Sequence, residues 1–191
     1  LGSATTNNSE EGYLWKWDVA SANWNQKKKI PVKGVNALIN TEIQLMQGGS
    51  NGELFYSDFI NAVPLIGVPG GGKVNPGGVS IEDDIALFGM YGGTYPGLWS
   101  YGRRRKNRSL ALNFAYRLSG TVNGSSLSTI GAVATVNDEV LVSWGISDGS
   151  TNTYGVDSTS STTKASALYE GLEFDGGSPH LKKNFESVKL T

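Results

Sequence analysis

The chain has no cysteine, one histidine and few charges, and each shortage removes a class of chemistry. Without cysteine there is no disulfide framework, no thiolate nucleophile and no cysteine-based zinc site, while the compartment stays open. His180 is the only base for a His-based triad, no serine sits in a nucleophile elbow for it to activate, and a loop role fits it better. A metal site would have to be built almost wholly from carboxylates, and no D-x-D-x-D-G loop is present. With 16 Lys and Arg against 17 Asp and Glu the net charge is −1, so no global field draws the chain to nucleic acid or to an anionic membrane. No apolar run approaches the ~20 residues that span a bilayer. Residues 1–8 lack the positive and apolar regions of a signal peptide, and the chain enters mid-motif, as a piece of a longer protein or a processed product would. Helical periodicity is also missing, since no window of about a dozen residues keeps apolar positions at i, i+3, i+4 and i+7.

What remains is glycine, aromatics and small polar residues. The 26 glycines, 10% aromatic content and abundant Ser, Thr and Asn describe many short strands joined by tight turns. At 191 residues the chain is long enough to bury a substantial core, as one compact domain or two small ones.

The strands recur in order. A first complete unit reads as strands 34–39, 43–47, 53–57 and 63–68, with an Asn40-Thr41-Glu42 turn after the first and a Gly-rich turn after the second. A second reads 78–81, 85–90, 97–101 and 110–118, with Glu82-Asp83-Asp84 in the first turn. A third reads 130–135, 140–144, 153–156 and 165–174, with Asn137-Asp138-Glu139 in the equivalent place. Taking Trp15, Phe55, Trp99 and Tyr154 as equivalent points gives a period of about 40 to 55 residues, the range of four-stranded propeller blades. The expected organisation is an all-β propeller or part of one: a partial blade at 12–32, blades at 33–76, 77–124 and 127–176, and a closing or next-blade strand at 177–191. A meander sandwich has similar strands and glycine turns. The recurring order of acidic first turn, Gly-rich second turn and aromatic third strand favours the propeller.

The stretch "IGAVATVNDEVLVSWG" (130–145), followed by "YGVD" (154–157), resembles the β-propeller repeats of structural proteins in tailed-phage virions. The resemblance covers the three units; it lacks the Gly-His and Trp-Asp blade-end signatures of WD-type propellers. It implies a non-catalytic virion component of capsid, neck or tail that works through protein–protein contacts, with a virion or extracellular location.

Candidate contact residues follow from charge and aromaticity. Arg103, Arg104, Arg105, Lys106 and Arg108 lie in a hairpin between third and fourth strands, where guanidinium forks suit an anionic protein partner or phosphate, against the alternative of a solvated loop. Lys27-Lys28-Lys29 reads in the same way with less weight. No aromatic interleaves the arginine run, which counts against nucleic-acid stacking. Trp24 and Tyr95, in polar or Gly/Pro surroundings, are the expected ligand-contacting aromatics, whereas Trp99 and Trp144 read as core. Repeated acidic turns can gather carboxylates for a cation, yet Asn and Asp are also what tight hairpins prefer.

Two other strings read as connections. In Gly70-Gly71-Gly72-Lys73-Val74 no Ser or Thr follows the lysine, and Pro76 blocks the helix that a phosphate loop needs. Ser147-Asp148-Gly149-Ser150-Thr151 resembles the Asp-box turn of sialidases imperfectly, and the arginines and axial tyrosine of that enzyme class have no evident counterparts. No catalytic residue, cofactor or metal is expected. A carbohydrate-binding propeller for host attachment is the alternative function, with a host-surface glycan as partner and an oligomeric state left open.

Overall fold

The computed structural model describes residues 2–5, 12–17, 19–20, 26–41, 44–58, 60–103, 109–121 and 129–159, all within the unit Leu1–Ser161. Strands β1 (Gly2–Thr5), β2 (Gly12–Lys16) and β3 (Gln26–Ile30) form a first sheet. A second contains β4 (Val35–Asn40), β5 (Gln44–Gly48), β6 (Glu53–Ser57) and β7 (Ala62–Gly67). The third contains β8 (Lys73–Glu82), β9 (Ile85–Tyr91), β10 (Gly97–Gly102) and β11 (Ala111–Tyr116). The fourth contains β12 (Thr129–Val136), β13 (Glu139–Ser147) and β14 (Asn152–Ser158). Every pairing between these strands is antiparallel and joins sequence neighbours, and the only helical element among the described residues is a single 3-10 turn at Ser119–Thr121. The described residues are therefore all-β, built as four small antiparallel meanders, none of them closed on itself. The expected strand at 165–174 and the segment 177–191 lie outside the described residues.

Turn chemistry sets the hairpins. Asp83 and Asp84, and likewise Asn137 and Asp138, have φ of 46°, 64°, 50° and 64°. Two consecutive left-handed residues between the pairs Glu82↔Ile85 and Val136↔Glu139 are what a two-residue hairpin needs, and Asn and Asp tolerate that conformation better than other side-chain-bearing residues. Strand β8 begins at Lys73, earlier than its sequence implies. Its register against β9 shifts between Val74 and Val79, and that irregularity accommodates Pro76, which has no N–H to give a ladder.

Alternation gives each sheet two faces, and three hydrophobic layers join the sheets in chain order. Leu14 and Ile30 of the first sheet, with Val32 after it, pack with Val35, Met46 and Phe55 of the second. On the second sheet's other side, Ala37, Ile39, Leu45 and Leu54 meet Ala86, Phe88, Met90, Trp99 and Tyr101 of the third. Leu87 and Leu98, on the third sheet's other side, meet Ile130, Val133, Val140 and Val142 of the fourth. Fully burying each of these large side chains stabilises by about 1.5–3 kcal/mol before entropy is subtracted.

The layers repeat at equivalent positions. Met46 pairs with Phe55 and Phe88 with Trp99, one residue from each second strand and one from each third, and both pairs face the preceding sheet. Polar side chains lock the same junctions. Gln47, fully buried, accepts from the Val74 N–H at 3.1 Å and from Asn36 Nδ2 at 2.8 Å, tying the second sheet to β8. Asn75 donates to Thr129 Oγ1 and the Ile130 carbonyl at 2.8 and 2.7 Å and accepts from the Tyr91 hydroxyl, tying β8 and β9 to β12. The absent side chain of Gly89 leaves the place that Ile130 fills.

Candidate functional site

A polar concavity with an apolar floor lies on the third sheet, on its side facing the fourth. The pairs Ser100↔Leu87 and Ser100↔Asn113 bring these three residues onto one face, and Gly102 beside Ile85 keeps that face open, since a Cβ there would come within 2.9 Å of Ile85. The resulting cleft encloses about 490 Å³, with Ile85 and Leu87 among its apolar lining and Glu82, Ser100, Arg103, Asn113 and Tyr116 as polar groups. That volume lies within the range of small-molecule sites. One guanidinium, one carboxylate, amide and hydroxyl groups and one aromatic ring can hold a polyhydroxylated or anionic group.

Of the expected contact residues, Arg103 is half-buried and lines this cleft. Arg104, Arg105, Lys106, Arg108 and Trp24 lie outside the described residues. Tyr95 is 55% exposed, and its carbonyl accepts the Trp99 indole N–H at 3.1 Å. Trp99 is 6% exposed and meets Phe114 edge-on at 5.1 Å, so its place is in the core. The lysine run forms strand β3: Lys27 sets its ammonium 3.8 Å from the Tyr13 ring centre and 4.8 Å from that of Trp15, and Lys28 donates to the Ile60 carbonyl.

Trp144 is half-buried and fixed by charge. Its indole N–H donates to Asp157 Oδ1 at 2.9 Å, and the Asp157 carboxylate also accepts from the Ser119 amide and hydroxyl, both at 2.6 Å. Burial pushes the Asp157 carboxyl up, but these three donors outweigh it and hold the group below its ordinary value. Tyr154, taken from sequence as the third-strand counterpart of Trp99, has another role. Register places Tyr154 opposite Gly145 and Asp157 opposite Val142, so Asp157 occupies the inward position and Tyr154 is 73% exposed on the opposite face.

No group of three potential metal ligands gathers among the described residues, which do not include Glu42 of the first acidic turn. Asp148 caps its own turn, accepting from the Thr151 and Ser150 N–H groups at 2.6 and 2.9 Å and from the Ser150 hydroxyl at 3.0 Å. These bonds hold its carboxyl below the usual range. The glycine run likewise serves the backbone. Gly71 and Gly72 donate to the Val68 and Ser50 carbonyls, the Gly70 carbonyl accepts from Thr94, and Lys73 starts a strand instead of a helix. One string that sequence reading passes over is Gly145-Ile146-Ser147-Asp148-Gly149, which spells G-x-S-x-G. The structure puts Ser147 at the end of β13 in a β-hairpin, without the strand-to-helix elbow that exposes a nucleophile.

Comparison with known proteins assigns no family: no protein-family model, no curated protein and no solved structure matches the chain.

Proposed function

We propose that the chain is a non-catalytic docking scaffold whose sheets are the blades of a propeller, or of an arc of one, and that it serves as a component of a tailed-phage virion. The observation that carries the blade reading is the equivalence of successive junctions. Met46–Phe55 and Phe88–Trp99 face the preceding sheet at matching register, and β4, β8 and β12 lie next to one another in turn. Four-stranded meanders joined this way make propeller blades. The virion assignment rests on the resemblance of 130–145 and 154–157 to phage propeller repeats. In this reading a rigid core displays loops that change without cost to packing, and the arginine run 103–108 supplies charge-assisted contacts to an acidic partner.

Mass spectrometry of gradient-purified particles from the producing culture tests the assignment. Peptides of this chain present in fixed ratio to capsid protein are the expected result, and their absence from particles removes it. Reversing charge with Arg103→Glu and Arg105→Glu is expected to release the chain from particles without altering its circular dichroism.

A second reading, a carbohydrate-binding propeller, is favoured by the cleft at Ser100, Asn113 and Tyr116. Glycan-array binding lost in Asn113→Ala and Tyr116→Ala, with Tyr95→Ala as a comparison, would support it. An array without signal would remove it.

A further inference from the structure

The three junctions use a front face on one sheet and a back face on the next, and each end of the series has one face that no other described sheet covers. On the fourth sheet Val140 and Val142 point back toward the third sheet, so alternation turns Glu139, Leu141, Ser143 and Gly145 to the front. Register brings Tyr154 and Val156 of β14 to the same side, opposite Gly145 and Ser143. Equivalent front residues of the inner sheets are buried: Leu45 and Leu54 on the second, Leu87 and Leu98 on the third. Tyr154 and Val156, by contrast, are 73% and 67% exposed. Between them lies a hollow of about 480 Å³ bounded by Gly131, Ser143, Gly145, Tyr154 and Val156. At the preceding junction the gap left by Gly89 is filled by Ile130 from the next sheet; here the hollow has no such occupant among the described residues.

The complementary face is on the first sheet. Strand β3 neighbours the outermost strand β7, which makes β2 the third strand of its sheet. Leu14 points forward to the second sheet, so Tyr13 and Trp15 point back. Phe55 and Trp99, the corresponding back-facing aromatics of the inner sheets, are 3% and 6% exposed under their preceding sheets. Tyr13 and Trp15 are half-buried and are covered by the Lys27 ammonium.

We propose that the front face of the fourth sheet docks on the back face of the first sheet in a second copy of this chain. The proposal rests on the blade reading above. It continues an interface that the chain already makes three times, and it sets the aromatic pair Tyr13 and Trp15 toward the hollow beside Tyr154. A front-to-back contact is heterologous, so successive copies close into a ring where the rotation permits.

Light scattering on the 191-residue chain is expected to give an integral multiple of 20.3 kDa. The double variant Tyr154→Arg and Val156→Asp is expected to return it to 20.3 kDa with unchanged circular dichroism, because both residues are exposed in the single chain. Because the chain has no cysteine, the variant Tyr13→Cys with Tyr154→Cys adds a separate readout. A disulfide between chains supports the proposal. A disulfide within a monomer overturns it while keeping the ring, and a monomer with both thiols free overturns it outright. Failure of the blade reading itself would appear elsewhere, as a Gly89→Val variant that melts like the parent protein.

Discussion

Strands β9 and β13 hold matching places in the third and fourth sheets, yet they are buried in different ways. From Ala86 to Met90 five consecutive residues of β9 are buried, whereas along β13 buried Val140 and Val142 alternate with half-buried Leu141 and Ser143. A strand covered on both faces reads as a continuous apolar run, and a strand covered on one face alternates. Among the described residues, the difference marks which strand is packed on both faces and which on one. It also shows in the composition of the two strands: Phe88 and Met90 fill one layer while Leu87 fills another, whereas Gly145 leaves room for the Tyr154 ring of its own sheet.

Mutations can break that comparison, and the largest effect belongs to the inner sheet. Phe88→Ala removes a fully buried ring between the second and third sheets and is expected to cost about 3–5 kcal/mol, read by urea denaturation. Gly89→Val drives a side chain into Ile130 and is expected to cost about 1–3 kcal/mol in the same assay.

Asp157→Asn comes next, at about 1–2 kcal/mol near neutral pH, since the carboxylate is only partly withdrawn from solvent. Its folded pKa lies below its unfolded value, so the stabilising contribution is present above the unfolded value of about 3.9 and is lost as pH falls through the folded one. The melting temperatures of the two proteins should therefore differ at pH 7 and converge in acid. A difference that persists at the lowest pH would assign the effect to packing around Trp144. The smallest effect is expected at Val156→Thr, within about 0.5 kcal/mol, because its side chain is exposed on the front face of the fourth sheet. A loss near that of Phe88→Ala that does not depend on protein concentration would mean this face is covered within the monomer.

How much of this was legible in the sequence depended on which signal each residue carried. Strands β4 to β7 and β9 to β14 follow from short apolar or alternating runs between turn residues, and the two-residue hairpins at 83–84 and 137–138 follow from Asp and Asn. The lysine run was legible only as charge. It forms β3 because an outermost strand tolerates lysines that would be excluded from a central one. Strand β1, Gly-Ser-Ala-Thr, carries no apolar pattern and takes its place by pairing with β2. Tyr154 was misassigned because aromatic identity does not say which face a residue occupies; a shift of one position moves a side chain to the other side of a sheet. In the cleft, Arg103 was legible as part of a basic run. Glu82, Ser100 and Asn113 meet only through the register of β8 to β11, which spacing alone does not reveal.

The central claim is that successive sheets repeat one junction around a common axis. Spin labels on cysteines placed singly and in pairs at Thr41, Asp83 and Asp138 measure it directly, because these turns join first and second strands in three consecutive sheets. The account predicts similar 41–83 and 83–138 distances, with a 41–138 distance clearly shorter than their sum, as on an arc. A 41–138 distance equal to that sum would mean a straight stack with no axis, and would contradict the propeller.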